Sequence, residues 1–192
     1  MLSVFNKAAI EVCEGQQMDM DFETRNDISI SEYTEMIRLK TSVLLGGALE
    51  LSAIIAGASK KDREHIYNFG VNIGLAFQIQ DDVLDLYADP KKFGKQVGGD
   101  VLANKKTMLY LMAKENSNAT QLEQLEQLES EADATKKIAA TKQLFDEVNA
   151  KELSLNMVNH YFSIAQNEIN SIGVPAQNKE RLKGLSNFLL NR

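Results

Sequence analysis

A chain of 192 residues with 44% apolar and 25% charged side chains can bury a sizeable core, which excludes disorder along its whole length. Its 21 basic against 27 acidic residues leave a formal charge of -6, the wrong sign for neutralising nucleic-acid phosphates. A single cysteine, Cys13, allows no internal disulfide and fits a reducing cytoplasm, and two prolines leave room for long helices.

Taken in order, Val4, Phe5, Ala8, Ala9, Val12 and Cys13 recur at helical spacing, predicting a helix from near the start to about Met20 with Cys13 in its core. The first residues lack a basic start followed by a long apolar run. Glu23 to Ser31 reads as a polar loop, closed either by Ser31 as N-cap or by Ser29 with Glu32 as a capping box. The next helix is expected to stop at about Gly57. Its most apolar stretch, 42–59, carries Glu50, and a carboxylate at a bilayer centre costs roughly 2.5–3.5 kcal/mol, so a buried helix fits and a membrane span does not. A third helix starts between Ser59 and Asp62 and must end before Pro90. Pro90, Gly94, Gly98 and Gly99 mark 89–104 as a loop. Further helices are expected over Lys105 to Glu115, Gln121 to Glu131, Ala134 to Asn149, Ala150 to Ser171 and, past Gly173 and Pro175, Gln177 to Asn191. Leu122, Leu125 and Leu128 repeat too briefly for a coiled coil. No strand pattern competes, so residues 1–192 read as one all-α domain.

Three features sit where an ordinary helix would not put them. Gln78, Asp81, Asp82 and Asp85 share one helix face, opposite Phe77, Ile79, Val83, Leu84, Leu86 and Tyr87. Like charges one turn apart repel by roughly 0.2–0.5 kcal/mol even in water, and more when desolvated. Either the stripe is solvated, or a cation such as Mg²⁺ balances it with phosphate and water completing the shell. Lys40 lies in the stripe Tyr33, Ile37, Leu44, Gly47, Leu51. It is either a lysine snorkelling at the core edge or an inward cation available to an anion. Gly46 and Gly47 each weaken the helix by up to about 1 kcal/mol, which close packing would explain. Lys91, Lys92, Lys95 and the glycines around them suit either a solvated basic loop or a lid over a metal–phosphate complex. No GxxxxGK[ST] phosphate loop is present. His65 and His160 have no partners at metal-ligand spacing, and both read as ordinary residues.

Four strings in this order resemble the trans-type isoprenyl diphosphate synthases, which include the farnesyl and geranylgeranyl diphosphate synthases. They are Glu14-Gly15-Gln16-Gln17-Met18-Asp19-Met20-Asp21; Lys40-Thr41 with the glycine-bearing helix after it; Phe77-Gln78-Ile79-Gln80-Asp81-Asp82-Val83-Leu84-Asp85; and Gly94-Lys95 with Gly99-Asp100. The resemblance is densest from Glu11 to about Leu111 and implies an isoprenoid-synthase helical bundle around an apolar cavity, in homodimers. It implies head-to-tail condensation of an allylic diphosphate with isopentenyl diphosphate. Asp81 would bind Mg²⁺ directly, with Asp82 and Asp85 helping directly or through water. Lys40 and Lys95 would bind the allylic diphosphate, Thr41 and Gln78 would stabilise carbocation charge, and Phe77 would pack near isopentenyl diphosphate. Gln16 and Asp19 would line the same mouth, supporting Lys40 or a substrate.

Members of that family carry a further stretch before the segment matching Met1, with a first aspartate-rich motif and an arginine pair. This chain has one DDxxD string, and its arginines (Arg25, Arg38, Arg63, Arg181 and Arg192) include no adjacent pair. It therefore reads as the C-terminal part of a synthase, inactive alone and prone to self-association through exposed apolar faces. The alternatives are a complementing or non-catalytic subunit and an interaction module on the same fold. The resemblance implies that the side chains setting product chain length lie around the first motif, so this sequence does not give that length.

Overall fold

A computed structural model describes residues 1–88 and 97–190. Among them there is no strand, and the chain is all-α as expected. The helices are α1 (Leu2–Phe22), α2 (Ile30–Ile37), α3 (Val43–Ile55), α4 (Lys60–Tyr87), α5 (Gly99–Leu102), α6 (Met108–Asn116), α7 (Ala119–Glu129), α8 (Ala134–Glu147), α9 (Ala150–Ser171) and α10 (Ala176–Leu190). A π turn, Arg38–Ser42, joins α2 to α3. No described helix is long and apolar enough to cross a membrane.

Local chemistry sets most of these ends. Ser29 and Glu32 form the capping box: the Glu32 amide donates to Ser29 Oγ at 3.2 Å, and Glu32 Oε2 accepts from the Ser29 amide at 3.0 Å. Asn118 and Gln121 do the same for α7, and Asp133 caps α8 by accepting from the Lys136 amide at 3.0 Å. Gly57 stops the chain after α3 in a left-handed conformation, φ 72°. The stretch expected as loop up to Asn104 holds the one-turn helix α5, entered through Gly98 at φ 84°.

The chain divides into two compact units. The first combines residues 1–21, 34–78 and 157–192. Its core joins Ile66, Phe69 and Ile73, spaced to share one face of α4, to Ala165 and Ile169 of α9. Each large side chain so buried contributes roughly 1.5–3 kcal/mol. Close approach also explains the glycines. A Cβ on Gly46 would lie 2.8 Å from Val71 Cγ2, and one on Gly70 would lie 2.8 Å from Gly46 Cα, so α3 and α4 meet backbone to backbone.

The second unit combines residues 22–33 and 79–156. Ile79, Val83 and Leu86 of α4 are buried there, as are Met108, Leu109, Leu125, Leu144 and Phe145. Helix α8 packs against α5, α6 and α7.

Two expectations about side-chain placement are corrected. Cys13 is exposed, because the packed face of α1 runs through Ala8 and Gly15 and leaves Cys13 to one side. Leu44, expected on the Lys40 stripe, is 58% exposed. The buried face here runs through Met36, Leu39, Val43 and Gly46, which leaves Leu44 to one side.

Candidate active site

In the first unit, Lys40 and Thr41 both sit in the π turn, where the Val43 amide donates to the Arg38 carbonyl. Ser42 Oγ donates to the Ile37 carbonyl at 3.3 Å, satisfying an acceptor that the widened turn loosens. Two glycines clasp this turn. A Cβ on Gly15 would lie 2.3 Å from the Lys40 nitrogen, and one on Gly74 would lie 2.7 Å from Ser42 Cα. The turn therefore has α1 on one side and α4 on the other at backbone distance.

That clasp brings Lys40 to Asp19. The ammonium donates to Asp19 Oδ2 at 2.6 Å, and both side chains are 36% exposed. A pair this open is worth about 0–1 kcal/mol, so a more highly charged anion can take the lysine from the aspartate. Thr41 Oγ1 donates to Gln78 Oε1 at 3.3 Å. Gln16 is exposed on α1, one turn before Asp19, and Phe77 is half-buried on α4. Lys95 and Gly94 lie outside the described residues, as do Lys91 and Lys92.

In the second unit, the three motif aspartates have different surroundings. Asp82 is buried, and its Oδ2 accepts from the Tyr33 hydroxyl at 2.6 Å and from the Met108 amide at 3.1 Å. It ties α2, α4 and α6 together. Asp85 Oδ2 accepts from the Asp100 amide at 3.0 Å. Burial pushes the Asp85 carboxyl above the ordinary carboxylate range, and the charges of Asp100 and Asp81 push the same way, against the Asp100 amide and Lys105. Asp81 is half-buried, one turn before Asp85. Lys105 reaches back to Asp100 Oδ1 at 2.7 Å. Asp82, Asp85, Asp100, Asn104, Lys105 and Glu129 border one pocket of this unit. Among the described residues, no three His, Cys, Asp or Glu side chains are gathered as a complete metal cage.

Tyr33 and Lys105 belong to this picture and were not singled out in the sequence. Tyr33 reads there as one more aromatic in an apolar stripe. Its partner Asp82 lies 49 residues further on, beyond the reach of any local pattern. His65 has a structural partner, Glu168 Oε2, with its Nδ1 at 2.7 Å, and His160 packs edge-on against Tyr161.

Comparison with known proteins bears on the family and the fold. The Polyprenyl synthetase family model matches residues 1–148. The chain is 38% identical over 152 residues to the geranylfarnesyl diphosphate synthase of Natronomonas pharaonis, covering 77% of this chain and 43% of that protein. It is 32% identical over 191 residues to the short chain isoprenyl diphosphate synthase of Methanothermobacter thermautotrophicus, covering 100% of this chain and 58% of that one. The crystal structure of geranylgeranyl pyrophosphate synthetase from Pyrococcus horikoshii Ot3 superposes with a TM-score of 0.92 at 30% identity, over 100% of this chain and 58% of that chain. The chain thus spans 43% to 58% of the length of these proteins. With the family's pattern matched across most of its residues and its fold across all of them, the chain belongs to the polyprenyl synthetase family.

Proposed function

We propose that the chain is part of a trans-isoprenyl diphosphate synthase that condenses isopentenyl diphosphate with an allylic diphosphate, head to tail. The placing of Asp81 and Asp85 one turn apart on α4, with Asp100 brought against Asp85 Oδ2 by its amide at 3.0 Å, carries the reading, because burial first and the neighbouring Asp100 and Asp81 charges after it oppose a bare carboxylate at Asp85. A hard divalent ion offsets this, and Mg²⁺ takes one or two carboxylates and completes its shell with water and substrate phosphates. Two carboxylates without a full cage fit that mode. Asp81 and Asp85 would hold the ion, and Asp82, spent on Tyr33 and Met108, would hold the helix.

When bound, magnesium neutralises the diphosphate leaving group. In the first unit Lys40, paired with Asp19, would bind an allylic diphosphate by exchanging the aspartate for it, and Lys95 would add a second cation. The allylic C1–O bond breaks, and the leaving diphosphate takes the electron pair. Thr41 and Gln78 then face the cation with oxygen dipoles. The double bond of isopentenyl diphosphate attacks C1, and a proton leaves the adduct for the released diphosphate. Phe77 supplies apolar surface beside isopentenyl diphosphate and helps to exclude water. Gln16 supports the mouth beside Asp19.

A second reading is a complementing or non-catalytic subunit of a two-chain synthase. Helix α1 leaves Leu2 72% and Phe5 60% exposed, a surface suited to self-association or to a second polypeptide. A prenyl-transfer assay decides between the readings. The purified chain is given Mg²⁺, geranyl diphosphate and labelled isopentenyl diphosphate. It is tested alone and after co-expression with the portion of the Methanothermobacter relative that it does not cover. The proposal expects no product alone, and product from the pair that Asp81→Ala abolishes. A folded pair without product, or product that survives Asp81→Ala, contradicts it.

A further inference from the structure

Helix α5 is a single turn, too short to hold its own position, yet it delivers the Asp100 amide to Asp85 and the Asp100 carboxylate to Lys105. Two adjacent residues of α8 grip its two ends. At its start, Gly98 is left-handed, and its amide donates to the Asp85 carbonyl at 2.7 Å. A Cβ on Gly98 would lie 2.8 Å from Ile138 Cγ1, so Ile138 presses on the bare backbone there. Just past its end, Asn104 is left-handed as well, φ 51°, and Asn104 Oδ1 accepts from Lys137 Nζ at 2.7 Å.

Lys137 is 5% exposed, and among the described residues no carboxylate lies at hydrogen-bond distance from it. Its ammonium donates to Asn104 Oδ1 and, at 3.0 Å, to the Glu129 carbonyl, which also accepts from Asn104 Nδ2 at 3.1 Å. Burying an ammonium on neutral acceptors is unfavourable unless the acceptors are well placed. The two made here close a triangle of α7, α8 and the turn after α5. The next residue but one, Lys106, is held by the Glu129 carboxylate at 2.7 Å, so the backbone on either side of Lys105 is fixed.

We propose that Lys137 is a positioning residue: with Ile138 it clamps α5 so that Asp100 and Lys105 stay in register with Asp85. The consequence for magnesium and diphosphate rests on the functional reading above, whereas the clamp itself does not.

The test uses the whole chain and two readouts. Hydrogen exchange in the ligand-free protein reports the Asp100 amide against the amides of α6. Lys137→Met is compared with Lys179→Met, which removes another buried lysine that donates to a backbone carbonyl, Asn170, in the first unit. Lys137→Met should speed Asp100 exchange at least tenfold beyond any change in α6. Lys179→Met should not, and Asn104→Gly should reproduce the Lys137 effect without adding to it in the double variant. Titration with Mg²⁺ and inorganic diphosphate should show at least a tenfold loss of affinity in Lys137→Met at unchanged helicity. Asp100 exchange that tracks α6 in Lys137→Met overturns the clamp. A wild-type chain that binds no diphosphate while Asp100 exchange still responds leaves the clamp standing and removes the functional reading.

Discussion

Glu129 shows how one side chain can carry several constraints. Its Oε1 accepts from Lys106 Nζ at 2.7 Å and from the Tyr110 hydroxyl at 2.9 Å. Burial alone would raise its carboxyl, but Lys106 and Tyr110 outweigh burial and hold it below the ordinary value of 4.5. A depressed carboxyl contributes stability above its unfolded value and loses it as pH falls through the folded one. Glu129→Gln should therefore destabilise the chain by about 1–3 kcal/mol at pH 7, since it leaves Lys106 7% exposed without its counter-ion. In thermal melts the gap to wild type should narrow as pH drops below the ordinary glutamate range. A gap independent of pH would contradict the assignment. At this scale the sequence was only partly legible. Spacing alone put Asp81, Asp82 and Asp85 on one face, but their division of labour depends on Tyr33, Asp100 and Met108, which arrive from other helices.

The π turn is the element that matters most to the first unit. It places Lys40 and Thr41 on a widened stretch held by Gly15 and Gly74 at distances no side chain tolerates. Gly15→Ala should push α1 away from the turn and cost about 1–3 kcal/mol, read as a lower urea midpoint at unchanged m. It should also weaken the Lys40–Asp19 pair, the contact that depends on that approach. A neutral outcome would mean that the turn does not need the glycine. The helices themselves were legible, because 3.6-residue periodicity, the Ser29–Glu32 box and Gly57 are local signals. The π turn was not, since its cause lies on two distant helices. Nor was α5, a single turn fixed by α8 rather than by its own composition.

For the whole molecule, each unit holds a distinct part of the chemistry. The first has a partly buried Lys40–Asp19 pair and the Thr41–Gln78 hydrogen bond. The second has Asp85, whose carboxyl is raised by burial above the ordinary range despite the Asp100 amide at 3.0 Å. Under the proposed function, the chain is expected to bind an allylic diphosphate with Mg²⁺ at Asp81. Isothermal titration with a non-ionisable thio-analogue of geranyl diphosphate, with and without Mg²⁺, tests this most directly. The account predicts saturable binding that requires Mg²⁺ and weakens at least tenfold, about 1.4 kcal/mol, in Asp81→Ala. Binding that is equally tight without Mg²⁺ or in Asp81→Ala, or none from a chain shown by circular dichroism to be helical, would contradict it.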